Sequence, residues 1–245
     1  MNFVPTPNRN DYTRYNALDG KRGMHHKTGA ICREYFENGL TKKYDAGSHN
    51  NDLDWAWYPL NGYSGGNMGS REFSSDDQDV LYSYFVDFMN KTNKDKITIV
   101  EIGVNRNAFE NTSTSIFLNN KRDQDVYLGI DIEDKSSLDN KEKNVFTIQC
   151  PSQDFEKIYD KMTEIGIQEI DILMIDGWHS INQCYLEWEL YTQFLASGGM
   201  VAMHDTNVHP GPYFLVDSID TNLYDVYKHL WDIQDWGISV AIKKF

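Results

Sequence analysis

Cysteine is scarce: Cys32, Cys150 and Cys184 are the only three in 245 residues, and they show no metal-type spacing. They make no disulfide framework, which points to a reducing compartment and a cytoplasmic protein. Long apolar runs are missing as well. No stretch approaches the roughly 20 residues of a membrane span. The opening MNFVPTPNRND lacks the apolar core of a secretory signal. Basic charge is the third shortage. With 37 acidic against 23 basic residues the net charge is −14, which argues against nucleic acid as the main partner, because a phosphate backbone needs a basic surface. The dinucleotide fingerprint GxGxxG is also lacking. Asn105 and Asn107 stand where further glycines would be wanted, which argues against a nicotinamide dehydrogenase.

What the chain does have is Ile170 to Ser180, reading IDILMIDGWHS. A short apolar run bounded by a turn residue fits a strand buried on both faces of a parallel sheet. Ligands of open α/β sheets bind outside the carboxyl ends of such strands, so Asp176 and His179 arrive where chemistry is done.

Similar runs recur on either side. ITIVEIG (Ile97 to Gly103), VYLGID (Val126 to Asp131), NVFTIQ (Asn144 to Gln149) and Met200 to Met203 read as strands, with a last one at Ile238 to Ile242. Helical periodicity lies between them. Val80, Leu81, Tyr84, Phe85, Phe88 and Met89 mark one face after the capping-box pair Ser75 and Gln78. Thr112-Ser113-Thr114 starts a helix to about Lys121, and Phe155, Ile158 and Met162 mark another. A helix carrying Ile181, Tyr185, Trp188, Thr192 and Leu195 should stop at Gly198-Gly199, and one more is expected around Tyr224 to Trp231. The alternation predicts an α/β fold: a Rossmann-like, doubly wound, mostly parallel sheet with helices on both faces.

Two segments follow. Residues 75–245 form this domain, and residues 1–74 are a polar extension rich in Asn, Gly and Tyr. Trp55, Trp57 and Tyr58 beside Gly62, Gly65 and Gly66 suit either a lid or substrate wall or plain packing. The adjacent pair His25-His26 cannot share a helix face and reads as a solvated loop.

The strand ends carry the candidate site. Glu101 and Gly103 close the first strand where backbone N–H groups could meet a ligand. Asp131 could accept hydrogen bonds from the vicinal hydroxyls of a ribose, or cap the segment begun by Glu133 and Asp134. Ser152 and Gln153 could read the edge of an adenine, or serve as turn residues. Asp176 and Asp205 end neighbouring strands. A hard divalent cation between them is one solution to burying two carboxylates, with Thr206 as a neutral oxygen beside it; a helix cap and a salt bridge are the plain alternatives. His179, three residues beyond Asp176, is placed for a general base, or is structural. His204 and His209 are rivals, but strand alternation should point His204 away from Asp205's side.

The ordered set EIG, GID, PSQD, IDGWH, GGMVAMHDT and HPG resembles the class I S-adenosylmethionine-dependent methyltransferases. More narrowly it resembles the metal-dependent O-methyltransferases similar to catechol O-methyltransferase and the macrolide-sugar enzymes; cephalosporin hydroxylase-like proteins share the set. The resemblance covers about Ser75 to Asp217, with the last strand more loosely. It implies S-adenosylmethionine as cofactor, bordered at its methionine by Glu101 and Gly103, held at the ribose by Asp131, flanked at the adenine by Ser152 and Gln153, and touched by Asp176. It implies Mg²⁺ or another divalent cation on Asp176 and Asp205, with Thr206 at a third ligand's place, and His179 as the catalytic base. The acceptor it implies is a hydroxyl of a small molecule or sugar, with no nucleic acid or membrane, and an oligomer is compatible with it. Two alternatives stand beside this. The asparagine-rich loop Val104 to Asn111 suggests a cofactor-binding module without transfer, and Asp176, Asp205 and His179 alone suggest a metal-dependent hydrolase.

Overall fold

Ile170–Ile175 is buried at every position, and in the computed structural model the reason is that both its faces are covered. Ile172 and Met174 join an apolar cluster on one side, and Leu173 and Ile175 join another on the opposite side. Side chains alternate along a strand, so a strand apolar at successive positions needs cover above and below. The structure describes residues 75–104, 112–179, 181–207, 210–229 and 236–245. The readings of His25-His26, the tryptophan cluster, most of the asparagine-rich loop and His209 lie outside these residues.

The elements in chain order are α1 (Ser75–Lys91), β1 (Thr98–Ile102), α2 (Ser113–Asn120), β2 (Val126–Asp131), β3 (Val145–Gln149), α3 (Phe155–Glu164), β4 (Ile170–Ile175), α4 (Ile181–Thr192), β5 (Leu195–His204), α5 (Pro210–Ser218), β6 (Tyr224–His229) and β7 (Ile238–Lys243). The seven strands run in the order β3-β2-β1-β4-β5-β7-β6. The first five pair in parallel, while β7 is antiparallel to both β5 and β6. The mostly parallel, doubly wound α/β sheet expected from the sequence is therefore present. Phe85 of α1 and Phe117 of α2 pack on one face. Phe155 of α3, Trp188 and Tyr191 of α4 and Leu215 of α5 pack on the other.

Local chemistry explains several boundaries. Thr112 caps α2 reciprocally: its hydroxyl accepts from the Ser115 amide at 3.3 Å, and its own amide donates to the Ser115 hydroxyl at 3.0 Å. Asp171, the polar exception in β4, is buried at the strand's amino end, where it accepts from Lys94 Nζ at 2.6 Å and from the Thr98 amide at 2.8 Å.

Two sequence expectations fail at the carboxyl end of the chain. Tyr224–His229 is a strand, not a helix, because it pairs residue for residue with β7 from Lys243 back to Ile238. Sheet pairing at a half-exposed edge outweighs the weak local signal. The helix expected to reach Gly198 ends at Thr192, and β5 begins at Leu195, since Ile170 already pairs with Leu195 beyond an irregularity in the β4–β5 register.

Candidate active site

Strands β1 and β4 lie side by side, and the order runs outward from them in both directions. That reversal opens a crevice at their carboxyl ends. Gly103 leaves β1 with φ +83°, and a Cβ there would lie 1.9 Å from the Asp176 carbonyl oxygen. The Asp176 amide in turn donates to the Ile102 carbonyl at 2.9 Å. Only glycine lets the two strand ends approach so closely.

Along the same rim, Asp131 accepts from the Val104 amide through Oδ2 and from the Glu133 amide through Oδ1, each at 2.8 Å. Its carboxylate thus ties two rim loops together, and each oxygen keeps a lone pair for a further donor. Burial raises its carboxyl above the ordinary range, against the pull of those amides and of Lys135.

Glu101 is fully buried within the domain. Its carboxylate accepts from Ser113 Oγ at 2.5 Å, from Thr114 Oγ1 at 2.9 Å and from the Tyr127 hydroxyl. It therefore anchors the start of α2 to β1 and β2. Ser152 and Gln153, also buried, belong to a polar cluster with α4. Ser152 Oγ donates to Glu187 Oε1 at 2.5 Å, while Gln183 Nε2 lies 2.7 Å from Ser152 Oγ, 2.9 Å from Glu187 Oε1 and 3.3 Å from Gln153 Oε1.

The acidic centre lies where β4 and β5 end. One ligand-type atom from each of Asp176, His179 and Asp205 falls within 4.8 Å of the others. His179 Nε2 is 2.5 Å from Asp205 Oδ2, and the Gly211 amide of α5 donates to the His179 carbonyl at 3.1 Å. Asp205 takes the left-handed conformation, with φ 61°. That turn breaks the alternation of β5, so His204 does not point away as strand geometry alone predicts. Its Nδ1 is 3.4 Å from both Asp176 Oδ1 and Asp205 Oδ1, and its Nε2 is 3.3 Å from Asp77 Oδ2 on α1. Thr206 turns to the far side: its hydroxyl meets Ser239 Oγ of β7 at 2.9 Å, and its amide donates to the Gly237 carbonyl at 3.2 Å. The next amide, Asn207, donates to the Trp236 carbonyl at 2.8 Å.

Charges at this centre shift one another. Burial alone would depress His179, but Asp205, joined by Asp176, holds it above its ordinary value. Burial likewise opposes a charged His204, and the same two carboxylates outweigh it strongly. Burial would raise Asp205, yet His179 and His204 hold it well below the usual carboxylate range. Asp176, with burial dominant and His204 only partly compensating, is raised. Asp205 Oδ1 is buried with no hydrogen-bond partner. A buried, ionised oxygen in that state suits a cation. The donor set of two carboxylates with imidazole nearby therefore fits a divalent metal ion.

Sequence reasoning misses Asp77, Gln183 and Glu187. An acid inside a helix buried over nearly all of its length, as Glu187 is in α4, is the signal that could have found it. Burial pushes Glu187 and Glu101 from 4.5 up to about 7, in spite of their hydrogen bonds. Each holds its proton more tightly folded than unfolded. Their contribution to stability is full below about pH 4.5 and is lost as the pH rises through about 7. It amounts to about 3 kcal/mol for each. Urea unfolding of Glu187→Gln should show a visibly flatter decline in stability across that interval, whereas a slope equal to the parent's would refute the assignment.

Comparison with known proteins bears on the fold and the family. Residues 85–206 match a family described as a methyltransferase domain. An uncharacterized protein, R132 of Acanthamoeba polyphaga mimivirus, is 28% identical over 57% of this chain and 68% of its own. Among solved structures, the MycE methyltransferase of the mycinamycin biosynthetic pathway, in complex with Mg, SAH and mycinamycin VI, aligns with a TM-score of 0.50 at 17% identity. That alignment covers 72% of this chain but only 53% of MycE, so the chain spans about half the length of that protein. An O-methyltransferase from Bacillus cereus in complex with SAH aligns at 11% identity and a TM-score of 0.47, over 73% of this chain and 85% of its own. The matched domain runs from α1 through the rim to Thr206, and over those residues the chain carries a methyltransferase domain of the class I S-adenosylmethionine-dependent type.

Proposed function

We propose that the protein is a divalent-metal-dependent O-methyltransferase acting on a hydroxyl of a small molecule or sugar. The observation that carries this reading is the meeting of Asp176, His179 and Asp205 within 4.8 Å, beside the crevice between β1 and β4. Asp176 and Asp205 would hold the cation, and Mg in the MycE complex is consistent with that role. Asp131 would hold the cofactor ribose, and Ser152 and Gln153 would lie toward its adenine. Once bound, the cation makes an acceptor hydroxyl more acidic, and the sulfonium cofactor supplies the methyl group. His179 keeps its Nε2 proton against Asp205 Oδ2 and takes the acceptor's proton at Nδ1. Asp205, joined by Asp176, raises the basicity of its ring against burial, and an imidazole is the side chain most readily tuned for proton transfer. The rigid strand ends hold the reacting groups in line, which is where much of the rate gain would originate.

The test is methyl transfer to a panel of sugars, polyols and catechols, with and without a chelator. Transfer should need the dication. His179→Ala should lower turnover by about 10²- to 10⁴-fold while leaving calorimetric binding of S-adenosylmethionine unchanged. Parental turnover in that variant, or transfer that survives chelation, would overturn the reading.

A further inference from the structure

His204 is buried, lies on no surface a substrate could reach, and yet faces the acidic centre. We propose that His204 is a metal ligand through Nδ1, that Asp77 is the positioning residue holding its ring, and that this nitrogen makes the site favour nitrogen-accepting dications such as Co²⁺ and Zn²⁺ over Mg²⁺. The inference rests on the reading that Asp176 and Asp205 hold a divalent cation, and adds a ligand and a metal class to it.

Three observations carry it. First, Nδ1 stands 3.4 Å from one oxygen of each carboxylate, Asp176 Oδ1 and Asp205 Oδ1. Three donor atoms at such separations can share one ion. Second, Nε2 is 3.3 Å from Asp77 Oδ2. A ligating histidine characteristically gives its other ring N–H to a carboxylate, which fixes the tautomer. In the neutral ring with its proton on Nε2, the lone pair of Nδ1 would face two carboxylate oxygens, and a cation shared by the three would offset that repulsion. Third, Asp205 Oδ1, one of those oxygens, is 3.4 Å from His204 Nδ1 and has no hydrogen-bond partner. Exposure settles which side stays open. His204 is 2% exposed, against 24% for Asp176 and 19% for His179. His204 closes the back of the site, and an acceptor would enter past Asp176 and His179. Oxygen-only sets suit Mg²⁺, whereas imidazole suits later first-row metals.

The rival role for His204 is a fixed imidazolium that neutralises the two carboxylates. The two roles predict opposite signs. Co²⁺ and Mg²⁺ are titrated calorimetrically into the full chain, with the visible Co²⁺ spectrum recorded alongside, for the parent, His204→Gln and Asp77→Ala. As a ligand, His204 requires that His204→Gln weaken Co²⁺ binding more than tenfold, alter the Co²⁺ spectrum and leave Mg²⁺ binding little changed. Asp77→Ala should weaken Co²⁺ by about 10- to 100-fold. It keeps the imidazole in place, so it distinguishes the two roles should His204→Gln fail to fold. Equal or tighter Co²⁺ binding with an unaltered spectrum, in whichever variant folds, overturns the proposal, as does a parent that binds no Co²⁺. Co²⁺ binding that depends on His204, in a protein that methylates no hydroxyl acceptor, would sink the O-methyl reading and leave this one standing.

Discussion

Asp205→Asn should lower methyl transfer by about 10³-fold at neutral pH, within the range expected of removing the His179 imidazole. The aspartate is the hub of the acidic centre: its Oδ2 lies 2.5 Å from His179 Nε2 and its Oδ1 lies 3.4 Å from His204 Nδ1. An amide keeps the shape and removes the charge. Asparagine tolerates the left-handed conformation as well as aspartate does, so φ 61° gives no reason for the backbone to move, and the loss would be chemical. Without the carboxylate, His179 loses the main interaction that holds its basicity up. Stability should respond with a definite sign. The folded carboxyl sits well below 3.8, so Asp205 stabilises the fold above its unfolded value, and that contribution is lost as the pH falls through its folded one. The variant should therefore be less stable than the parent near neutral pH and should approach it in strong acid. Transfer of a labelled methyl group, with cofactor affinity measured in parallel, decides the matter; turnover within a few-fold of the parent's would remove Asp205 from the mechanism.

Gly103→Ala should cost about 3 kcal/mol or more, the sum of left-handed strain and a steric clash. For a domain of this size that is a fall in Tm of roughly 6–12 °C. The added Cβ would meet the Asp176 carbonyl oxygen at 1.9 Å and its carbon at 2.6 Å. Both are backbone atoms, so no rotamer change relieves the contact. Asp176 must shift, and with it the carboxylate of the candidate ion site. Calorimetric Tm together with dication affinity should fall jointly. A variant with parental Tm would mean that the β1 and β4 ends do not pack as described.

How far the sequence reveals this molecule depends on whether a feature is local. Strands β1, β2 and β4 are legible because burial on both faces forces uninterrupted apolar runs, and their order brings Gly103, Asp131 and Asp176 to one rim without further information. Asp205 and His179 are legible for the same reason. His204 is not, because its direction depends on the left-handed turn at Asp205, and nothing in GGMVAMHDT specifies that angle. Asp77 lies 127 positions from His204 in the chain, and no pattern in either segment announces the pair. Glu187 hides because one acid in a helix window barely disturbs its apolar average, although its burial makes it chemically distinctive. At β6, the strand is imposed by its partner β7.

The seat of β7 has one more implication. This strand is made late, yet it slots between β5 and β6, and its approach segment and Ser239 grip Thr206 and Asn207 immediately beyond Asp205. A nascent polypeptide could lay down β1 to β5 while these clamps are still inside the ribosome. The turn that follows Asp205 at the candidate ion site should then be held in place only when β7 inserts, after β1 to β5 have been built.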